Sequence, residues 1–294
     1  MRKMVQNLAD IETAKRFLYE TCPNVEEEVV NQDNRECYIF FSSNGLYKED
    51  SPDEFQKSMI EGKRYEWKSI VTSLKKKKGI GKVIYVRDIY KNFYIYGISR
   101  AIDTIDKVVE YLKNLTEGYS ITTVGISSGG YMATVVGCSL KAKRVFCISG
   151  QFDLTNRLSE TDTEVFLKNN RKYFSIVELI EKNEEVPIYY FCPINCGHDY
   201  DSYTKVKDIK NVRCFLFPDK VHAATVYPFN FPDLLYLTNE RLDKLQRKYA
   251  GKLIDKREFL LRTMTFSGWR EFLRRFVKSR MNIENLKSLW DVKR

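Results

Sequence analysis

The sequence predicts an α/β fold, a mostly parallel sheet with helices on both faces. Three observations lead there. Six short runs rich in β-branched and aromatic residues (37–41, 82–86, 121–124, 144–148, 187–192 and 213–217) are bounded by turn residues. Segments of helical length separate most of them, which implies parallel neighbours rather than hairpins. The chain of 294 residues, 43% apolar and 14% aromatic, is large enough to bury a core and too apolar to be disordered.

Taken in order, residues 1–21 read as one amphipathic helix with no signal-peptide apolar region. Run 37–41, CYIFF, leads straight into the turn Ser42, Ser43, Asn44, Gly45. Residues 47–69 are polar with scattered aromatics, among them Tyr65 and Trp67. Four lysines at 75–78 read as a solvated helix end, where cations suit the dipole. Gly79 and Gly81 form a lone G-x-G without a third glycine, so no nucleotide fingerprint is read there. Strand 82–86 ends at Arg87 and Asp88. The aromatic loop that follows, with Tyr90, Phe93, Tyr94 and Tyr96, serves either packing or stacking against a sugar ring. In 102–115, Ile102, Ile105, Val108, Val109, Leu112 and Leu115 share one helical stripe. Strand 144–148 runs into SGQFD, and the polar segment 154–184 is where a small cap would be inserted.

The centre of the chain is residues 118–137. Ile121 to Val124 are apolar and β-favouring; Gly125, Ile126, Ser127, Ser128 and Gly129 fit G-x-S-x-G; Met132, Ala133, Val135, Val136 and Leu140 then recur at helical spacing. Strand, tight turn and helix are the context of a nucleophile elbow. The requirement is steric. A serine held in a strained backbone needs small residues two before and two after it. Its hydroxyl then stands at the carboxyl end of the strand, under a helix N-terminus that favours a developing anion.

A serine hydroxyl needs a base, and histidine titrates near neutrality. The chain has two histidines, His198 and His222, each in a loop after a strand that follows the elbow. In α/β hydrolases the order is serine, acid, histidine. That order makes His222 the base and puts the acid in the loop after 187–192, where Asp199, in GHDYD, is closer to the strand end and is the first choice. Asp201 is the alternative acid, or else the cap of a helix starting at Ser202; Asp153 and Asp219 are more remote choices, and His198 is the base only in a different architecture. The oxyanion donors expected are the N–H of Ser128 and one from Asn44 or Gly45.

Residues 37 to about 225 thus resemble an α/β hydrolase, through GISSGG, GHDYD and KVHAA. More narrowly, FFSSNGLY, YVRDIYKNFYIYGIS, GISSGGYMA and SGQFDL resemble serine-dependent O-acetyltransferases and hydrolases of bacterial capsule and surface polysaccharides. The resemblance implies a cytoplasmic enzyme that moves an acetyl group from acetyl-CoA to a glycan hydroxyl, with no cofactor held permanently. An esterase or deacetylase would use the same residues with water as acceptor. A non-catalytic scaffold that binds polymer or membrane is the reading of another class.

Charge divides the chain. Residues 241–294 hold 16 of the 49 Lys/Arg and 6 of the 39 Asp/Glu, which leaves 33 of each in the first 240. The sequence therefore predicts a neutral catalytic body, 1–240, and a basic amphipathic helical extension, 241–294. Within it Trp269, Phe272, Leu273, Phe276 and Val277 share a face, with Arg270, Arg274, Arg275 and Lys278 on or beside the other. That pattern suits an anionic membrane surface bound through 263–294, at the inner face of the bacterial membrane; the alternative is that the apolar face docks on the body. The segment lacks a reader fold or zinc ligands, so nucleic acid is not expected as a partner. Apolar runs are too short for a transmembrane helix. Seven cysteines without regular spacing read as reduced thiols. Cys192 and Cys196 lack a second ligand pair of zinc type, so no metal is expected.

Overall fold

The computed structural model describes residues 10–47, 52–75, 79–223, 225–226, 230–266, 268–270 and 272–273. Seven strands form one sheet: β1 (Val25–Val29), β2 (Glu36–Phe41), β3 (Lys82–Val86), β4 (Ser120–Ile126), β5 (Arg144–Ile148), β6 (Ile188–Pro193) and β7 (Val212–Phe217). The order is β1-β3-β2-β4-β5-β6-β7, with only β1 antiparallel to its neighbour. The six expected strands are present within a residue or two, and β4 begins one residue earlier and runs to Ile126. Strand β1 was not anticipated, because VEEEV carries three carboxylates where an apolar run is sought. They face lysines instead: Lys68 reaches Glu26 at 2.6 Å, Lys82 reaches Glu27 at 3.2 Å, and Lys75 pairs with Glu28. Charge on an outer strand also discourages pairing with other chains.

Helix α1 (Ile11–Thr21) starts where the Asp10 side chain accepts the Thr13 N–H at 2.7 Å. Residues 1–9 of the expected first helix lie outside the described residues. Helix α2 (Pro52–Phe55) runs on into a wider helical turn, Gln56–Glu61. Helix α3 (Lys68–Lys75) ends at the lysine run, of which 76–78 lie outside the described residues. Helix α4 (Ile105–Leu115) starts later than the stripe suggests, because Thr104 caps it. Helix α5 (Ser128–Ser139) follows β4, and α6 (Glu160–Asn170), α7 (Val177–Glu181) and α8 (Gly197–Val206) come next. The 154–184 segment buries Phe166, Tyr173, Ile176 and Ile180 in the core, so most of its apolar side chains belong to the body.

Alternate strand residues point to two cores. One face carries Ile39, Phe41, Ile84 and Val86, under α4 and α5. The other is aromatic: Tyr38, Phe40, Tyr85, Phe146, Tyr189, Phe191, Phe215 and Phe217. Phe191 and Phe215 stack with centroids 4.9 Å apart. That face is covered by α3 and by the last helices, α9 (Phe231–Tyr236), α10 (Asn239–Tyr249) and α11 (Lys256–Thr263).

The expected boundary at 240 is no break in packing. Leu242, Leu245, Tyr249, Ile254 and Phe259 enter the same core as β6 and β7, so the extension up to 263 completes the sheet's covering. Thr265 continues the attachment, its N–H and hydroxyl donating to the Asp233 carboxylate at 2.9 and 2.8 Å. Beyond it, Leu273 and Phe266 are exposed, and 274–294 lie outside the described residues, Phe276, Val277 and the basic side chains from Arg274 onward included. No helix among the described residues is long and apolar enough to cross a membrane.

Buried Arg144 ties the last helices to the sheet. Its guanidinium donates to the carbonyls of Leu235, at 2.7 Å, and Leu237, at the C-terminal end of α9, where a cation suits the dipole. Arg144→Met keeps the apolar stem but strands those carbonyls. Urea unfolding is expected to show a loss of about 2–3 kcal/mol.

Candidate active site

Strand β4 turns into α5 at Ser127, whose backbone has φ 55° and ψ −122°. A side chain in that conformation is strained, and surrounding contacts must hold it there. The glycines show how tightly the turn is built. A Cβ on Gly125 would lie 2.0 Å from the Gly129 carbonyl oxygen, and one on Gly129 would lie 2.5 Å from that of Phe41. Helix α5 therefore crosses directly over the end of its own strand and against β2. Unlike most N-cap serines, Ser127 makes no side-chain bond to its helix; its hydroxyl is directed elsewhere.

Ser127 Oγ lies 2.8 Å from His222 Nε2, and His222 Nδ1 lies 2.8 Å from Asp199 Oδ2. The carboxylate can only accept, so the imidazole proton sits on Nδ1, and the Nε2 lone pair faces the hydroxyl. Asp199 is fully buried, while Ser127 and His222 are half-buried. The three residues come from the ends of β4, β6 and β7, at the carboxyl edge of the sheet. Asp199 lies in the first turn of α8, which starts at Gly197.

That start displaces the alternative acid. Because the helix begins at Gly197 and not Ser202, Asp201 sits inside it and is exposed. Asp153 binds the Thr155 N–H and pairs with Lys205, and Asp219 pairs with Lys256. His198 is adjacent to the line but not at the serine: its Nε2 lies 3.0 Å from His222 Nδ1. Burial holds the His198 imidazole below its ordinary pKa, against the opposing pull of Asp199.

The loop after β2 faces the elbow. Ser128 Oγ donates to Asn44 Oδ1 at 2.9 Å, which joins the two loops. Ser128 opens α5, so its N–H has no carbonyl within the helix to bond. The Gly45 N–H, by contrast, donates to Ser43 Oγ at 3.0 Å and is occupied there.

Several positioning residues escaped the sequence reading. The Glu66 carboxylate accepts the Ser43 N–H and hydroxyl at 2.6 and 2.8 Å, and burial pushes its carboxyl up against those bonds. The Tyr94 hydroxyl donates to the Ser42 carbonyl at 3.0 Å. Buried Asp88 accepts from the N–H groups of Tyr90, Asn92 and Tyr94, with burial raising its pKa to about 6. Two of the loop's aromatics thus serve packing: Phe93 and Tyr94 are buried, and the rings of Tyr94 and Phe41 meet edge-on at 6.0 Å, while Tyr90 and Tyr96 are half-buried. Ser149, at φ 48° after β5, accepts the Ala223 N–H at 3.2 Å and so fixes the loop that carries His222. Its place at a strand end beside Gly150 was the available signal. A cavity of about 760 Å³ lies along β1 near Arg87, and none of Ser127, His222 and Asp199 lines it.

Fold and site together define an α/β-hydrolase architecture with a serine, a histidine and a carboxylate in one hydrogen-bonded line. No family model matches the chain, and no curated protein matches it. Similar solved structures include the capsule O-acetyltransferase of Neisseria meningitidis serogroup A, at 12% identity and a TM-score of 0.46, covering 66% of this chain and 83% of that one. An α/β hydrolase enzyme from the metagenome of sediments of the Mar Chica lagoon, Morocco, is 15% identical, with a TM-score of 0.46 and 72% and 92% covered. A Staphylococcus aureus protein of unknown function is 11% identical, with a TM-score of 0.43 and 81% and 94% covered.

The elbow's crowding is testable. In Gly129→Ala the new methyl would also lie 2.8 Å from the Ser42 carbonyl oxygen, and backbone on both sides cannot swing away. Calorimetry is expected to show destabilisation of about 3 kcal/mol or more, with an unchanged Tm ruling the packing out.

Proposed function

We propose that this chain is a serine-dependent O-acyltransferase that carries an acetyl group from acetyl-CoA, through an acyl-enzyme on Ser127, to a hydroxyl of a bacterial capsular or surface polysaccharide. The observation that carries the reading is the pair of 2.8 Å contacts joining Ser127, His222 and Asp199. Acyl transfer needs that arrangement because the alcohol must lose its proton as it attacks.

In the first half-reaction Ser127 Oγ attacks the thioester carbonyl carbon, and its proton passes to His222 Nε2. Asp199 stabilises the resulting imidazolium and keeps it oriented. The N–H groups of Ser128 and Asn44 hold the oxyanion at the N-terminus of α5. Collapse breaks the carbon–sulfur bond, and the CoA thiolate leaves with the proton from His222. In the second half-reaction the glycan hydroxyl gives its proton to His222 and attacks the acyl carbon. Ser127 recovers a proton as it departs. The donor and acceptor rest on the sequence resemblance.

One observation favours the alternative, an esterase or deacetylase. The His222 side chain is 29% exposed, so water can reach the acyl-enzyme. Labelled acetyl-CoA separates the two readings. Label that moves to an added surface glycan supports transfer, and label recovered only as acetate supports hydrolysis. Ser127→Ala and His222→Ala are each expected to lower turnover at least a thousandfold while Tm stays within a few degrees. A fully active His222→Ala protein would refute the assignment.

The basic C-terminal segment extends the proposal to a peripheral position on the inner face of the bacterial membrane. Thr263 and Thr265 are bonded to Asn230 and Asp233 of the body, so the proposed anchor is the segment beyond them, whose bases are Arg270 and those within 274–294. Deleting 274–294 is expected to release the protein from anionic liposomes in sedimentation while ester hydrolysis stays within twofold. Equal sedimentation of both proteins would remove the anchor.

A further inference from the structure

Four ligand-type side chains converge behind the base: Cys196, His198, Asp199 and His222, with one candidate ligand atom from each within 4.8 Å of the others. Three of them come from one turn, at the end of β6 and the start of α8. The fourth comes from the loop after β7. Sequence spacing hides the cluster, because a search for paired cysteines finds only Cys192 and Cys196, and Cys192 is buried within β6.

The contacts among these groups are poorly explained as hydrogen bonds. His222 Nδ1 has one proton, and Asp199 Oδ2 takes it at 2.8 Å. His198 Nε2 nevertheless stands 3.0 Å from the same nitrogen. Cys196 Sγ is 3.7 Å from His198 Nε2, and that nitrogen is 3.7 Å from Asp199 Oδ2. The other oxygen of Asp199, Oδ1, is buried without a hydrogen-bond partner among the described residues. A tetrahedral Zn²⁺ with bonds of 2.0–2.3 Å separates its nitrogen, oxygen and sulfur ligands by about 3.3–3.6 Å. The four separations just given straddle that range, and every other pair lies within 4.8 Å. Shifts of about an ångström would admit the ion, and thiolate, two imidazoles and carboxylate are a zinc-type donor set. His198, with 41% of its side chain exposed, offers the way in.

We propose that Cys196, His198, Asp199 and His222 form a Zn²⁺ site that overlaps the acid–base line and switches the serine centre off. The ion takes the Nδ1 lone pair of His222. Its ring proton must then sit on Nε2, where it points at Ser127 Oγ and cannot accept the hydroxyl proton. Asp199 turns from orienting the imidazole to ligating the metal, and the Cys196 thiol loses its proton to solvent as the Zn–S bond forms. No redox step is involved. Metal binding stands independently of the function proposed above; the switching consequence rests on it.

The test uses the full-length protein, freed of metal with a chelator. In calorimetric titration with ZnCl₂, the wild type is expected to bind one equivalent. Cys196→Ser and His198→Gln should each weaken binding at least tenfold, and Ser127→Ala should bind like wild type. Co²⁺ in place of Zn²⁺ should give a thiolate-to-metal absorption band that Cys196→Ser lacks. Absence of stoichiometric binding, or equal binding by wild type and both ligand variants, overturns the site. For the switch, one equivalent of Zn²⁺ should lower p-nitrophenyl acetate hydrolysis by wild type at least tenfold, with recovery on chelation. Cys196→Ser should need at least tenfold more zinc to lose the same fraction of its own rate. Unchanged hydrolysis by zinc-loaded wild type overturns the switch. A wild type that cleaves no ester defeats the acyl-enzyme reading, while the calorimetry still decides the metal site.

Discussion

The left-handed backbone at Ser127 is the constraint on which the rest of the site depends. With φ at 55°, the hydroxyl is lifted off the strand and away from its own helix. A strained conformation persists only where neighbours over-determine it. Here the neighbours are main chain: the Gly129 carbonyl over Gly125, the Phe41 and Ser42 carbonyls against Gly129, and Gly150 close to Gly130. The elbow is therefore held by three strands, β2, β4 and β5, and not by its own sequence alone.

The same edge of the sheet shows how much buried polar chemistry is needed to support a few reactive atoms. Ser42 is bonded by Tyr94 and Asp88, Ser43 by Glu66, and the Phe41 carbonyl accepts from the Trp67 indole at 2.7 Å. The loop facing Ser128 is thus fixed at three successive residues. On the other side Ser149 holds Ala223, next to His222. Oriented donors are most effective when they need not reorganise as charge develops, and rigid loops on a rigid sheet supply that condition.

The aromatic face accounts for the C-terminal helices. Phe191, Phe215 and Phe217 leave a broad apolar surface beside β6 and β7, and Phe259 closes over it with ring centroids 5.4–6.3 Å away. Since β6 and β7 carry the loops of Asp199 and His222, covering that face also steadies those two loops. The basic charge of 241–263 is accordingly the solvent side of packed helices, with Leu242, Leu245 and Phe259 on the inner side.

Much of this was legible in the sequence. Six strands, the elbow and the stripe of α4 follow from consecutive residues, since burial periodicity and steric crowding leave their marks locally; the pairing of Ser127 with His222 follows from the order of elements and from there being two histidines to choose between. The acidic edge strand was not legible, because its three glutamates are matched by lysines from α3 and β3. Nor was the choice between Asp199 and Asp201, which depends on α8 starting at Gly197, where no side chain caps the helix and marks its start. By itself the sequence determined which hydroxyl is raised and which imidazole follows the last strand. Only the tertiary structure decided which carboxylate backs that imidazole, where residues 241–263 pack, and that Cys196 and His198 gather beside it. Those outcomes depend on distances between segments far apart in the chain, and no local pattern encodes such distances.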